Sequence, residues 1–427
     1  MIMAMKESGI EWVGLIPDTW SVIPNKYVMH KEKNLCEKWT GEDVMSLTMN
    51  GVVVRDLQNP TGKMPATFDG YQYIENGDLL MCLFDIDVTP RCVGRVTHDG
   101  VTSPAYSNFK VHDNASRDYF YYYYLMVDNT KELLHLAKNL RHSFTEEQLG
   151  QLKVPMPPLS EQQAIADYLD ETCSKIDEII AEAKASIDEY KELKQSVILE
   201  AVTKGLDKNV EMKDSGVEWI GEIPVSWSCE KIRYIVNDIG DIDHYMPESV
   251  GHGIAYLMTG DLSDKVSNIN FEKCKQVSYE DYKKLSKKIK AEIGDIIFAR
   301  YASIGIVCYV DVDKDFLVSY SCVVIKPKHD IVNSLYMKYY LQSKAFKEEV
   351  LRLANSNVQM NVGKESLLQA KITVPFLYEQ EKIVKHLNKK ITGIDSLITE
   401  KQSLIADLEA YKKSLIYEVV TGKRRVV

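Results

Sequence analysis

The sequence predicts an α/β (α+β) fold: two α/β modules joined by two long antiparallel coiled-coil helices, with an internal pseudo-two-fold duplication. The first observation is that residues 7–28 match residues 214–235 at an offset of 207. The second is that residues 153–163 match residues 371–381 at an offset of 218, and the match continues to the end of each half. The third is a long heptad pattern after each of these later segments. Two long matches in the same order indicate a duplication. The shared first and last segments of each half form a frame, and the central segment that the frame encloses differs between the halves.

The repeat divides the chain into four predicted segments. A length of 427 residues is more than one hydrophobic core usually serves, so several domains are expected. The segments are a first module at 1–159, a first spacer helix at 160–205, a second module at 206–377 and a second spacer helix at 378–427.

Each module shows a mixed pattern of short β-rich runs bounded by Gly, Asp, Asn and Pro. The runs are DLLMCLF, RCVGRV and SNFKV in the first module, and DIIFARY, IGIVCYV and SCVVIKP in the second. A helical stretch closes each module, at 118–140 and 333–354. The tyrosine run Tyr121–Tyr124 could stack on bases, but its helical setting favours packing in the core.

The long helices carry a coiled-coil seam. Apolar residues in 160–204 recur at steps of four and three, and the second half repeats the register except at Lys401. After a slip of one residue, the pattern is expected to continue through Leu193, Val197 and Ala201. The chosen seam positions are Leu169, Ile176, Ile180, Ile187, Leu387, Ile394, Ile398 and Ile405.

Such helices are polar over most of their surface, so we expect the two seams to pack against each other. At about 1.5 Å per residue, 45 residues make a rod of roughly 68 Å. Copies of one unit tend to associate about a two-fold axis, which predicts antiparallel helices with one module at each end.

Several classes of function are excluded by missing patterns. No run of about 18 uncharged apolar residues predicts a membrane span, and the start lacks the apolar core of a signal peptide. The eight cysteines are scattered, which favours reduced thiols, a cytoplasmic location and no metal site. Motifs for phosphate binding, nucleophilic catalysis and dinucleotide binding are missing, so the chain is expected to be non-catalytic.

The repeated motifs resemble those of specificity subunits of type I restriction–modification enzymes. The resemblance rests on the paired SG[IV]EW[VI]GxIPxxW openings, the segments MPPLSEQ and VPFLYEQ, the closing EVVTGK, and GDIIFARYASIG at 294–305. It implies that each module is a target-recognition domain reading one half of a bipartite site in double-stranded DNA. It also implies that the helix pair sets the spacer and docks two modification (methyltransferase) subunits. Those partners would carry S-adenosylmethionine, and restriction (motor-nuclease) subunits would complete the complex.

The same resemblance directs attention to polar residues that follow strands. Candidates for DNA contacts in the second module are Arg300, Tyr301 and Ser303 at a strand end, and Asn355, Asn357, Gln359 and Asn361 in a polar loop. Lys284, Lys287 and Lys288 could grip phosphates. The matching first-module candidates are Arg91, Arg95, Arg141, His142 and Ser143. The competing interpretation is an ordinary turn or a solvated helix face, and the first module departs from the family loop at Asp85–Asp87.

The net charge of −10 bears on how tightly the chain is expected to bind DNA. The four segments carry net charges of −5, −6, −2 and +3 in chain order, so neither module is basic. We therefore expect weak unaided DNA binding, with methyltransferase partners supplying much of the affinity. The alternative is a duplicated coiled-coil scaffold that holds protein partners apart without reading DNA.

Overall fold

The computed structural model describes residues 4–60, 64–89, 91–137, 143–301, 303–354 and 361–426. Two compact units emerge: Met1–Lys184 with Gln402–Val427, and Ala185–Lys401. Each unit contains one variable module and part of each long helix. The unit boundaries fall inside both helices, whereas the four-segment division follows the order of motifs along the chain and stays a prediction.

The first module has two main sheets and two separate two-stranded sheets among its described residues. Its strands are Met5–Glu7 (β1), Leu15–Pro17 (β2), Ser21–Pro24 (β3), Met29–Glu32 (β4), Leu35–Cys36 (β5), Val44–Thr48 (β6), Gly51–Val54 (β7), Tyr71–Ile74 (β8), Leu79–Met81 (β9), Val93–Arg95 (β10), Gly100–Thr102 (β11), Ser107–Val111 (β12) and Lys153–Met156 (β13). An antiparallel sheet has the order β10-β9-β12-β4, and a mixed sheet has the order β5-β8-β11-β6-β7 with β6 and β11 parallel. Strands β1 and β2 pair with each other, as do β3 and β13.

The second module repeats this plan. Its strands are Met212–Asp214 (β14), Glu222–Pro224 (β15), Ser228–Lys231 (β16), Val236–Gly240 (β17), Ile254–Leu257 (β18), Lys275–Val277 (β19), Ile296–Ala299 (β20), Val307–Tyr309 (β21), Phe316–Val318 (β22), Cys322–Pro327 (β23) and Lys371–Val374 (β24). The antiparallel order β21-β20-β23-β17 matches that of the first module, and β18 is parallel to β22 in the other sheet. The expected antiparallel or mixed α/β modules are confirmed.

In the part of the chain that the structure describes, there are eight short α-helices and two long ones. The short helices are Arg117–Asn129 (α1), Glu132–Leu136 (α2), Glu146–Gln151 (α3), Ile232–Ile235 (α5), Tyr279–Leu285 (α6), Ser334–Gln342 (α7), Lys344–Leu353 (α8) and Lys364–Gln369 (α9). The long helices are Leu159–Lys204 (α4) and Leu377–Val420 (α10), close to the predicted spans. Among the described residues, no helix is long and apolar enough to cross a membrane.

Each stretch predicted as one closing helix is divided in two. Lys131 adopts a left-handed backbone with φ of 55°, which ends α1 and starts α2. In the second module Ser343 is extended, and its hydroxyl caps α8 by accepting from the amide of Phe346. A serine side chain satisfies the amides of a new helix better than it supports a helix interior, so the break follows from local chemistry.

In each unit the parts of α4 and α10 run antiparallel. In the first unit Lys412 pairs with Asp177 at 2.6 Å, and Ile165 and Val419 line one small cavity. In the second unit Lys194 pairs with Asp395 at 2.7 Å, and the Glu379 carboxylate lies near Gly205. Rising numbers on one helix therefore meet falling numbers on the other, as the duplication predicts.

The seam is buried over most of its length. Leu169, Ile176, Ile180, Ile187, Leu387 and Ile394 are buried, whereas Ile398 and Ile405 are half-buried. The predicted slip is wrong at Leu193, which is 48% exposed. The original register continues instead through Lys194, because Asp395 neutralises the ammonium that occupies the seam.

Both long helices end at a glycine packed on a tryptophan. Gly205 and Gly422 have φ of 77° and 72°, the left-handed conformation that commonly ends a helix. Trp227 lies against the first glycine and Trp20 against the second, and both indoles are fully buried. The closing motif and the opening tryptophan of the repeat thus meet in each unit.

The cysteines are all free thiols, and seven of the eight are buried. Burial raises the pKa of Cys92, Cys308 and Cys322 to about 12, which keeps these thiols protonated.

Candidate nucleic-acid interface

Arg300 follows the end of β20 in the second module, as the sequence indicates, but its guanidinium is buried. Its Nη2 forms an ion pair with Asp241 and donates to the Tyr320 carbonyl at 3.1 Å. The Tyr301 ring lies 4.6 Å from the guanidinium carbon. Arg300 therefore holds the surrounding side chains in place, and a direct base contact by this residue stays a prediction.

Tyr301 and Ser303 continue from this strand end to the surface. Tyr301 is half-buried and forms an isolated antiparallel bridge with Asn361, which joins the polar loop to the strand end. Ser303 is exposed, and its amide donates to the Tyr301 carbonyl at 2.6 Å. Asn355, Asn357 and Gln359 lie outside the described residues.

Two of the three predicted phosphate-binding lysines contact the segment after β17. Lys288 approaches Asp243 at 3.3 Å and Asp241 at 3.6 Å, and Lys284 lies 5.2 Å above the Tyr245 ring. Lys284, Lys287 and Lys288 are all exposed. The structure thus brings a basic edge next to residues 241–245.

Sequence reasoning missed the residues that face this basic edge. His244 is 59% exposed in its side chain, stacks on Tyr320 at 5.0 Å and 27°, and accepts from Arg300 Nη2 at 3.3 Å. The DNA-contact candidates from the sequence include His142 in the first module but no histidine of the second module. The available signal was the run Asp243-His244-Tyr245-Met246, where polar and aromatic residues follow a strand.

The first-module arginines are engaged in internal contacts. Arg95 pairs with Asp118 at 2.7 Å and with Asp170 of α4 at 3.0 Å. Burial opposes the charge of Arg95, but hydrogen bonds to Asp170 and Asp118 leave its pKa raised. These ion pairs join the module to the helix, and a DNA contact by Arg95 stays a prediction.

Arg91 and Ser143 are half-buried. Arg91 Nη2 donates to the Met49 carbonyl at 3.4 Å, and its Nε lies 4.0 Å from Asp128. Arg141 and His142 lie outside the described residues.

The first-module strand end differs in chemistry from that of the second module. Leu83 and Phe84 occupy the positions of Arg300 and Tyr301, and Phe84 stacks on Tyr106 at 6.5 Å and 26°. Asp85 follows with φ of 47°, and its carbonyl accepts from the amides of Val88 and Thr89. The departure seen in the sequence is therefore a tight turn after an apolar strand end.

Two glutamines attach the modules to the long helices in the same way. The Gln162 side chain accepts from the Ser116 amide at 2.8 Å and donates to the Pro157 carbonyl at 2.8 Å. The Gln380 side chain accepts from the Asn333 amide at 2.7 Å and donates to the Pro375 and Ile331 carbonyls. Both side chains are fully buried, so the repeated glutamine joins the start of a long helix to the start of α1 or α7 in each unit.

Tyrosines on α1 and α7 form the next repeated attachments. Tyr119 donates to the Val420 carbonyl at 2.9 Å, and Tyr336 donates to the Val202 carbonyl at 3.2 Å. These bonds fix the C-terminal turn of the opposite long helix to each module. In the predicted tyrosine run, Tyr122–Tyr124 are buried and Tyr121 is half-buried against the same apolar cluster, so the run packs in the core as its helical setting predicts.

A further tyrosine in each module bonds to its own long helix eleven residues after the helix begins. Tyr122 donates to Asp170 at 2.7 Å, and Tyr339 donates to Asn388 at 2.5 Å. The frame is thus repeated in its hydrogen bonds as well as in its sequence.

Comparison with known proteins identifies relatives of this frame. A family model described as "Type I restriction modification DNA specificity domain" matches residues 92–189 and 248–406, more than half of the chain. The chain is 28% identical over 284 residues to the type I restriction enzyme MjaVIII specificity subunit of Methanocaldococcus jannaschii. That alignment covers 64% of this chain and 63% of the relative, less than two thirds of its length.

Solved structures share the fold. A chain from a study of complex assembly and conformational transition of the type I R-M system gives a TM-score of 0.69 at 13% identity, covering 96% of this chain and 99% of that one. The HsdS subunit from Thermoanaerobacter tengcongensis gives a TM-score of 0.51 at 16% identity, covering 96% and 98%.

Proposed function

The chain belongs to the family of type I restriction-modification DNA specificity proteins, and from that premise we propose that it selects the DNA sequence on which a modification complex acts. Each module reads one half of a bipartite site in double-stranded DNA. The observation that carries the proposal is the contrast between repeated attachments and different strand ends. Gln162 and Gln380 hold the modules in the same way, while Phe84 and Arg300–Tyr301 give them different side chains at their strand ends.

The helix pair docks two modification subunits in this proposal. Apolar side chains on the long helices remain exposed at equivalent positions in the two units. They are Ile179 and Tyr411 in the first unit, and Leu397 and Leu193 in the second, each between 41% and 48% exposed. Exposed apolar groups repeated in this way suit two copies of one partner, because each unit offers the same pair of positions.

Catalysis would reside in the partners. The methyltransferase subunits would hold S-adenosylmethionine, and motor-nuclease subunits would complete the restriction complex. The chain itself would contribute recognition and no reaction step, in a cytoplasmic setting. Contacts from the lysines would set the register on the phosphates, and groups at base edges would supply sequence preference.

The test is to co-express the chain with its modification subunit in a host lacking other methylation and to sequence the methylated genome. We expect one bipartite motif. Exchange of residues 30–150 for the corresponding module of another family member should change one half-site only. Methylation without sequence preference would contradict the proposal and favour a scaffold that does not read DNA.

The spacer role has its own test. Insertion of seven residues into both long helices at equivalent positions adds about 10 Å of helix. We expect a longer spacer between unchanged half-sites in the methylated motif, and an unchanged spacer would contradict the role.

A further inference from the structure

His244 has a defined proton arrangement that follows from its neighbour. Arg300 Nη2 lies 3.3 Å from His244 Nε2, and a guanidinium can only donate hydrogen bonds. Asp241 Oδ2 lies 3.7 Å from the same nitrogen, beyond hydrogen-bond distance, so the guanidinium is the hydrogen-bond partner of Nε2. Nε2 therefore accepts, which places the proton of the neutral ring on Nδ1. The structure thus presents a ring with Nδ1–H as its available donor.

The ring is also held in a fixed orientation at the surface. Tyr320 stacks against one face at 5.0 Å, and Tyr301 meets the ring edge-on at 6.3 Å and 77°. The buried Arg300–Asp241 ion pair fixes the guanidinium beside Nε2 of the ring. Among the described residues, no group bonds to His244 Nδ1, although the side chain is 59% exposed.

The surroundings of the ring suit DNA. Lys288 approaches Asp241 and Asp243, which both precede the histidine in sequence, and Lys284 lies above the adjacent Tyr245. Lysines on phosphates would set the position of the module, which brings a neighbouring donor to the base edges. In the major groove the acceptors for such a donor are purine N7, guanine O6 and thymine O4.

We propose that His244 is a specificity-determining residue of the second module and donates from Nδ1 to an acceptor on a base edge in the major groove. Arg300 is a positioning residue that sets the tautomer and orientation of the histidine. The inference rests on the proposed function, and it names the residue and the kind of base group that it meets in one half-site.

Two amide substitutions separate the ring nitrogens. The His244→Asn side chain carries its amide near the position of Nδ1, whereas the His244→Gln amide extends toward the position of Nε2. His252→Gln is the matched control, because His252 is exposed in the same module and lies outside this cluster. Each variant is assembled with the modification subunit and tested on a duplex library randomised in both half-sites, with thermal melting as the check on folding.

For His244→Gln we expect the base requirement at one position of one half-site to relax by about fivefold, the lower end of the range for a bidentate base contact. His244→Asn should keep the requirement, and both variants should leave the other half-site unchanged. An unchanged motif for His244→Gln would overturn the inference while leaving the proposed function in place. Equal relaxation by both amides would overturn the assignment of Nδ1 as the donor. If the unmodified complex showed no sequence preference, the proposed function would fail as well.

Discussion

The two modules share a sheet order but differ where their strands end. The second module places a buried charge at this point, with Arg300 held by Asp241 and covered by Tyr301 and His244. The first places Leu83 and the Phe84–Tyr106 pair at the same point, with an acidic turn after them. A duplicated frame therefore tolerates opposite chemistry at its strand ends, because the attachments that hold each module lie elsewhere.

The attachment glutamines provide the largest expected effect and test whether the frame is equivalent in the two units. Gln162→Leu and Gln380→Leu each leave buried amide and carbonyl groups without partners, and we expect each to lower the free energy of unfolding by about 3 kcal/mol. Urea unfolding of the full chain measures both. Gln163→Leu, an exposed neighbour, is the control, and a large difference between the two buried sites would contradict equivalent attachment.

Substitution of the glycine that ends each long helix should lower the free energy of unfolding by different amounts in the two units. A Cβ on Gly422 would lie 2.5 Å from Pro17, whereas the nearest atom to a Cβ on Gly205 is in Trp227 at 3.1 Å. Both have left-handed backbones, so Gly205→Ala should cost about 1 kcal/mol and Gly422→Ala about 2 kcal/mol or more. Thermal melting of the two variants measures the difference. Equal costs would show that Pro17 moves away from the new Cβ without loss of stability.

The charged strand end should make the second module sensitive to one carboxylate. Asp241→Asn leaves the buried Arg300 without its counter-charge, and we expect a loss of about 2 kcal/mol, below the range for fully buried pairs because Asp241 is 16% exposed. Asp43→Asn in the first module, where the carboxylate pairs with the exposed His98, should change stability little. Hydrogen exchange around β20 and β23 locates the effect, and unchanged protection there would contradict it.

Tyr122 and Tyr339, which bond to the long helices, should give the smallest difference in the free energy of unfolding between the two units. Tyr122 donates to a carboxylate and Tyr339 donates to an amide, and bonds to charged groups are the stronger kind. We expect Tyr122→Phe to cost about 1.5 kcal/mol and Tyr339→Phe about 1 kcal/mol. Denaturant titrations on the pair of variants measure the difference, and a larger cost at Tyr339 would reverse the expected order.

The two modules also differ in the apolar clusters beside the sheet that contains a parallel strand pair, β6 and β11 in the first module and β18 and β22 in the second. In the second module one apolar cluster includes Tyr256, Leu285 and Phe316. In the first module there are two small clusters, one around Met45 and Leu80 and one around Cys36 and Phe68. We expect amides of β18 and β22 to exchange more slowly than those of β6 and β11, because local stability follows buried apolar contact.

Much of the architecture was accessible from the sequence because it depends on local and periodic signals. The strands DLLMCLF and DIIFARY, the long helices and the antiparallel pairing all follow from alternation, heptads and duplication. The helix breaks at Lys131 and Ser343 were missed, since each depends on a single residue within an otherwise helical pattern. The slip predicted at Leu193 was wrong because Asp395, two hundred residues away, neutralises the lysine in the seam.

The candidate site was predicted less completely for the same physical reason. The resemblance identified Arg300, and residue type identified the lysines, as DNA-facing candidates, but only the tertiary structure shows that Asp241 and Tyr320 enclose the arginine. It also moves attention to His244, whose donor is set by a residue 56 positions away in sequence. The sequence by itself determined the duplication, the two modules and the helices, because repeats and periodicity are carried by the chain. The tertiary structure decided which charged groups pair internally and which remain at the surface, because pairing depends on distances between strands that the chain brings together only when folded.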